Sequence, residues 1–242
     1  MAQNQLNSSP KVYARVGGIA YLVIIIAGIF GEMVVRKTII VAGDASATTA
    51  NILAHSQLWR AGIAGDLLMH VCDVIVMVCL YVLLKPVNKN LALLAILFNL
   101  VQTSVLVANK MNLLMPLFLS EDVNYLKALD PHQLQAMSYL SVKAHSYGFG
   151  IGLIFFGFTC LSYGYLIFKS GFFPKLFGVL MAIAGLCYLL NSFTLILAPK
   201  LSNFMMLVPA FIGEFSFCLW LIIAGVNVSK WRERKNMYLI NQ

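Results

Sequence analysis

The second long apolar run of the chain contains three ionisable residues, Asp66, His70 and Asp73. Their spacing of i, i+4 and i+7 places all three on one narrow face of an α-helix. An ionisable side chain near the centre of a bilayer costs at least ~2.5–3.5 kcal/mol, so it normally binds or pairs with something. With a rise of ~1.5 Å per residue, Asp66 falls roughly 8 Å and Asp73 roughly 18 Å from the outer end of the run, which puts Asp73 near the membrane midplane.

Polar residues in the other apolar runs could complete a site with this helix face. Glu214 lies near the middle of the sixth run, and His145 lies at the outer start of the fourth. If the faces converge, they form a polar pocket between helices. The residues predicted to bind a ligand or ion are Asp66, His70, Asp73, Glu214, Asn99 and Gln102.

Three kinds of chemistry fit these residues. Carboxylates with imidazole could hold a metal ion, although Asp-x3-His-x2-Asp is not a recognised zinc pattern. The metal ligands would be His70, Asp66, Asp73 and His145. Carboxylates that repel each other beside a histidine could instead take up and relay protons. The third interpretation is structural, with Asp66 paired to His70, or with protonated carboxyls that hold helices together by hydrogen bonds. The sequence identifies no cofactor.

Charged residues near the ends of the runs have simpler interpretations. Glu32 and Arg36 are four residues apart, which predicts an i,i+4 ion pair at a helix end. Lys110 could extend toward the membrane surface or pair with a carboxylate, and both readings stay open.

The elements that must position these side chains are membrane-spanning helices. The chain has 242 residues, of which 60% are hydrophobic and 11% charged, whereas soluble proteins are ~45–50% apolar and ~25% charged. Its mean hydropathy is +0.84. Six apolar runs reach the roughly 20 residues that span a bilayer. They cover residues 16–35, 61–84, 91–114, 146–168, 176–197 and 204–226. The sequence therefore predicts an all-α transmembrane bundle of about six helices.

The charge distribution predicts an orientation. The net charge is +8, and basic residues concentrate near both termini and in the Lys–Pro–Lys turns after the second and fourth runs. This positive-inside pattern predicts that both termini are cytoplasmic, with membrane lipids as partners. No basic helix is interleaved with aromatic residues, so no nucleic-acid partner is expected. The expected divisions are a cytoplasmic N-terminal segment at 1–15, a transmembrane domain at 16–226 and a basic cytoplasmic tail at 227–242.

The outer segments between runs are long enough to contain short helices. Asp44 could cap one helix, and Asp130 followed by Pro131 is a strong helix start. Leu134, Met137 and Leu140 follow at helical spacing, which predicts an amphipathic helix lying on the membrane surface.

Several stretches carry a family resemblance. They are the Arg15–Tyr21 segment RVGGIAY, the segment from Gly43-Asp44-Ala45 through Leu58-Trp59-Arg60 to Asp66, the segment from Phe155-Phe156-Gly157 through Lys169-Ser170-Gly171 to Gly185, and Glu214 with Trp220-Leu221. Together they resemble a family of bacterial multi-pass membrane proteins catalogued as domain of unknown function 4386. The resemblance covers residues 11 to 226. It implies a bacterial inner-membrane protein and supplies no activity.

The leading functional hypothesis is therefore a membrane protein with a polar intramembrane pocket for a small ligand or ion, in proton-coupled transport. One alternative is an intramembrane metal-dependent hydrolase, although the sequence contains neither a His-Glu-x-x-His nor a Gly-x-Ser-x-Gly motif. The other is a structural or assembly protein without small-molecule activity. Six helices are few for a solitary transporter, which suggests a homodimer.

Overall fold

The computed structural model describes residues 9–240, which are almost entirely helical. Within them, six helices are long and apolar enough to cross a membrane. They are α1 (Pro10–Ile39), α3 (Ser56–Leu84), α4 (Lys89–Phe118), α5 (Pro131–Ser170), α6 (Lys175–Leu197) and α7 (Met205–Ile223). A short helix, α2 (Ala45–Ala54), connects α1 to α3, and α8 (Val228–Ile240) follows the last span. The prediction of an all-α bundle with six spans is confirmed.

The predicted N-terminal segment lies partly outside the described residues, which begin at residue 9. The first span begins at Pro10, earlier than the apolar run, because proline is favoured in the first turn of a helix. The last two residues of the predicted tail, 241–242, also lie outside the described part of the chain.

The bundle has two ends. The terminal end holds the start of α1, the turns between α3 and α4 and between α5 and α6, and α8, whose Trp231 indole donates to the carbonyl oxygen of Leu83 at 3.0 Å. The distal end holds α2 and the segments that precede α5 and α7. Each end has its own apolar core. Phe217, Leu221 and Leu83 belong to the terminal core, whereas Trp59 and Val35 belong to the distal core.

Several ionisable residues within the spans face the interior of the bundle, whereas many of the apolar residues face outward. On α3, the side chains of Asp66, His70 and Asp73 are all buried, whereas Val71 is 60% and Val78 54% exposed. A soluble protein shows the opposite arrangement, so the outer surface of this bundle is suited to lipid. The protein is therefore an integral membrane protein in contact with membrane lipids.

The helix starts expected at Asp44 and Asp130 are confirmed. The Asp44 carboxylate accepts from the N–H of Ala47 at 2.8 Å. At Asp130, the side chain accepts from the N–H of Gln133, and the Gln133 side chain accepts from the N–H of Asp130, both at 3.1 Å. These reciprocal bonds form a capping box.

The surface helix predicted around Leu134, Met137 and Leu140 is not a separate element. It is the first part of α5, which continues unbroken for 40 residues from Pro131 to Ser170. No proline or glycine interrupts the chain between this segment and the apolar run, so the helix has no reason to end. Ser138 and Val142 of the segment are buried, which shows that it packs against other parts of the protein.

Close packing of α5 on α6 depends on glycines. A Cβ atom added at Gly164 would lie 2.8 Å from both the backbone nitrogen of Ala182 and the carbonyl oxygen of Gly178. Only a residue without a side chain lets the two backbones approach so closely. This contact fixes α5 against α6, the two helices that carry Tyr163 and Tyr188.

Candidate functional site

Asp66 is the centre of an ion-pair network near the distal end. Its carboxylate accepts from the Arg36 guanidinium at 2.7 Å and from the Lys110 ammonium at 2.8 Å. All three side chains are at least 90% buried. Glu32, which is more than half exposed, accepts from the other side of Arg36 at 2.8 Å. We call Asp66, Arg36, Lys110, Glu32 and His145 the distal network.

Arg36 reaches Asp66 because the end of α1 is not a regular α-helix. Residues Phe30–Arg36 form a π-helical segment, which is wider than an α-helix and shifts the residues that follow it. Gly31 lies in this segment, where an added Cβ would be only 2.6 Å from Asp66 Oδ1 and 2.9 Å from an Arg36 nitrogen. The glycine therefore provides the space in which the ion pair forms.

Lys110 reaches the same carboxylate from an interruption in α4. The α-helical hydrogen bonding of α4 stops at Asn109 and resumes at Met111, with Lys110 in a turn between them. The Asn109 side chain donates to the carbonyl oxygen of His145 at 2.9 Å, and the Lys110 ammonium lies 3.4 Å from His145 Nε2. These contacts join α4 to α5 beside the ion pair.

The network corrects two expectations from the sequence. The Glu32–Arg36 pair is present, but Arg36 is buried and also binds Asp66, which the i,i+4 spacing alone did not indicate. Asp66 pairs with Arg36 and Lys110, and its carboxylate makes no hydrogen bond to His70 among the described contacts. Of the two readings of Lys110, pairing with a carboxylate is confirmed.

A second group of polar residues lines a cavity of about 150 Å³ between the spans. We call it the central cavity. Five of the residues predicted to bind a ligand line it, namely His70, Asp73, Asn99, Gln102 and Glu214, whereas Asp66 does not. Side chains from all six spans contribute to its wall.

Asp73 is held by two side chains of α4. Asn99 donates through Nδ2 to Asp73 Oδ1 at 3.2 Å, and the Thr103 hydroxyl donates to Oδ2. The Thr103 hydroxyl also lies 3.3 Å from Oε1 of Gln102. Asp73 thus has neutral hydrogen-bond donors and, among the ion pairs of the described residues, no cationic partner.

Glu214 is held in the same way by two tyrosines from other spans. The Tyr21 hydroxyl of α1 donates to Oε2 at 2.7 Å, and the Tyr188 hydroxyl of α6 donates to Oε1. Sequence reasoning missed both tyrosines, as well as Thr103 and Tyr163. A hydroxyl in an apolar helix needs a partner when it is buried, and that requirement is the signal that could have identified them.

Three residues that line the cavity each have one buried polar atom with no hydrogen-bond partner in the described part of the protein. These atoms are His70 Nε2, Asn99 Oδ1 and the Tyr163 hydroxyl. Each residue is no more than 3% exposed. Buried polar groups are normally satisfied, and an unpaired one costs roughly 1–3 kcal/mol. Of the six buried polar side-chain atoms without a partner in the described part of the chain, three thus belong to residues of this cavity wall.

The side chains suggested as metal ligands are divided between these two regions. Asp66 and His145 belong to the distal network, whereas His70 and Asp73 line the central cavity. Among residues 9–240, no three His, Cys, Asp or Glu side chains come together in a way that could hold a metal ion. Within the described residues, these four side chains therefore do not form one metal-binding group.

Other proteins resemble this chain over most of its length. The chain is 29% identical to an "Uncharacterized protein" of Archaeoglobus fulgidus over 170 residues, which cover 69% of this chain and 86% of that one. No solved structure matches the chain. Residues 16–225 match the family described as Domain of unknown function (DUF4386). This match extends through all six spans, and the chain therefore belongs to that family.

Proposed function

We propose that this protein binds a small ligand or ion in the central cavity, with proton exchange at Asp73 and Glu214 coupled to binding and transport. The observation that supports the proposal is the content of the cavity wall. Its residues include two carboxyl groups from different spans and three side chains with a buried polar atom that lacks a partner among the described residues.

Charge is the physical reason for coupling to protons. No Lys or Arg of the described residues lines the cavity. Removing an ionised carboxylate from water costs free energy unless a cation compensates its charge. Each of the two carboxyls must therefore either hold a proton or face a bound cation. A cation that enters would therefore displace a proton, and a proton that enters would release the cation. This exchange is the elementary step of a proton-coupled carrier.

The test is a stability screen of the purified full-length protein in detergent. The five free cysteines, four of which are buried, allow unfolding to be followed with a thiol-reactive dye. Inorganic cations, organic ammonium compounds, neutral solutes and carboxylic acids would each be added to the wild type, Asp73→Asn and Glu214→Gln. At a hundred times its Kd, a ligand should stabilise the wild type by about 2.7 kcal/mol.

We expect at least one solute class to raise the Tm of the wild type, to release protons in weakly buffered solution, and to lose both effects in the two variants. If the Tm shift is unchanged in Asp73→Asn and Glu214→Gln, these carboxyls do not contact the ligand. If no class has an effect on the wild type, the polar residues serve only to pack the helices, as a structural or assembly protein requires.

We also propose that the protein lies in the plasma membrane with both termini cytoplasmic. Lysines at both turns of the terminal end and in α8 support this orientation through the positive-inside rule. In a variant without its own cysteines, a membrane-impermeant thiol reagent added to intact cells should label Ser120→Cys and not Ser229→Cys, both at exposed positions. The reverse pattern would invert the topology. The homodimer stays a prediction.

A further inference from the structure

The central cavity presents hydrogen-bond acceptors. Asn99 Nδ2 donates to Asp73 at 3.2 Å, which directs Oδ1 of the same amide away from that carboxylate. The opposite orientation of the amide would bring two oxygens together, so the assignment of Oδ1 follows from Asp73. Oδ1 of Asn99 is buried without a partner among the described residues, and it can only accept a hydrogen bond.

Other atoms on the wall can accept as well. The carboxyl groups of Asp73 and Glu214 are acceptors when ionised, and Nε2 of His70 accepts when the proton of the ring is on Nδ1. The cationic side chains that could satisfy such acceptors are engaged elsewhere, because Arg36 and Lys110 both bind Asp66. A ligand that complements these two carboxylates must therefore bring N–H donors and positive charge.

The rest of the wall is apolar and aromatic. Phe149, Phe156 and Leu153 line the cavity together with the ring of Tyr163. Aromatic faces attract organic cations, whereas a bare metal ion prefers a complete shell of oxygen atoms. A volume of about 150 Å³ is close to that of an engineered protein cavity that accepts benzene. The space is thus larger than one inorganic ion requires, and it suits a cation with an apolar body.

We propose that the cavity binds a small organic ammonium compound with one ammonium group and an apolar body about the size of a six-membered ring. This assignment rests on the proposed function and names its ligand class. The ammonium N–H groups donate to the carboxylate of Asp73, and the body lies against the aromatic wall. Binding neutralises one carboxylate, which explains why the protein holds this group without a cationic side chain.

Three probes of equal ring size test the assignment. Cyclohexylammonium carries the cation, cyclohexanol is its neutral counterpart, and cyclohexanecarboxylate is the anion. Binding to the full-length protein in lipid nanodiscs is measured by titration calorimetry. In the wild type, cyclohexylammonium should bind roughly ten- to a hundredfold more tightly than cyclohexanol, as expected for a hydrogen bond to a charged group.

Variants locate the charge that produces this preference. Asp73→Asn should remove the preference for cyclohexylammonium and leave the affinity for cyclohexanol unchanged. Glu32→Gln is the matched control, because its carboxyl lies outside the cavity and is more than half exposed. It should bind both probes as the wild type does. The comparison of the three probes on the wild type remains decisive even if Asp73→Asn does not fold.

The possible failures are distinguishable. If cyclohexanol or cyclohexanecarboxylate binds as tightly as cyclohexylammonium, the ammonium assignment is wrong and the binding cavity stands. If none of the three binds while another solute class raises the Tm in the stability screen, the ligand class is again wrong and the proposed function stands. If no solute of any class binds, both proposals fail.

Discussion

Buried carboxyl groups have cationic partners in the distal network and neutral partners in the central cavity. In the distal network, one carboxylate, Asp66, is shared by two buried cations, Arg36 and Lys110. In the central cavity, two carboxyls, Asp73 and Glu214, have neutral donors such as Tyr21 and no cationic partner among the described residues. The first arrangement is electrostatically complete, whereas the second is not. A complete network stabilises the fold, and an incomplete one is where a ligand or a proton can contribute.

The largest effect should come from removing the charge at the centre of the complete network. Asp66→Asn would leave Lys110 buried without its anion and Arg36 with only the exposed carboxylate of Glu32, and breaking a buried pair in this way costs about 3–5 kcal/mol. We expect the Tm in detergent to fall by roughly 10 °C. Glu32→Gln is the control, since its exposed pair with Arg36 should contribute at most about 1 kcal/mol. Equal losses in the two variants would contradict the central role of Asp66.

A smaller effect should follow when the network is disturbed sterically. In Gly31→Ala, the new methyl group would lie 2.6 Å from Asp66 Oδ1, and forced overpacking costs about 1–3 kcal/mol. The matched control is Gly65→Ala, where the nearest atom is a ring carbon of Phe30 at 3.7 Å. Alanine there should be neutral or slightly stabilising, because it favours the helix. If Gly31→Ala melts at the same temperature as the wild type, the π-helical segment adapts and the glycine is not required.

Two tyrosines of the central cavity, Tyr21 and Tyr163, allow a bonded hydroxyl to be compared with one that has no partner among the described residues. Tyr21→Phe removes a donor from Glu214, and the loss should be about 1–2 kcal/mol. Tyr163→Phe removes a buried hydroxyl that has no partner in the described part of the chain, so it should leave the Tm unchanged or raise it. The measurement is the Tm of both variants without added ligand. A larger loss in Tyr163→Phe than in Tyr21→Phe would show that the hydroxyl of Tyr163 is already satisfied.

The contrast between the two regions could be predicted only in part from the sequence. The presence of Asp66, His70 and Asp73 in an apolar run predicted that they are buried, because lipid cannot solvate them. Their spacing placed them on one face, yet it could not separate Asp66 from Asp73, since both have the same local pattern. Asp66 and Asp73 differ in their partners from other helices. The π-helical segment of α1 positions Arg36 beside Asp66, and the turn that interrupts α4 positions Lys110 there.

The difference between the distal network and the central cavity is tested most sharply by Asp73→Asn, the variant expected to change stability least. Asp73→Asn keeps the shape of the side chain, and its amide can accept from Asn99 while it donates to the Thr103 hydroxyl, so no hydrogen bond need be lost. It also removes a carboxyl that has no cationic partner. We expect a Tm within about 2 °C of the wild type, or higher. Polar residues that are retained for function often do not contribute to stability. A fall as large as that of Asp66→Asn would mean that Asp73 also stabilises the fold as an ion, and that the two regions do not differ in kind.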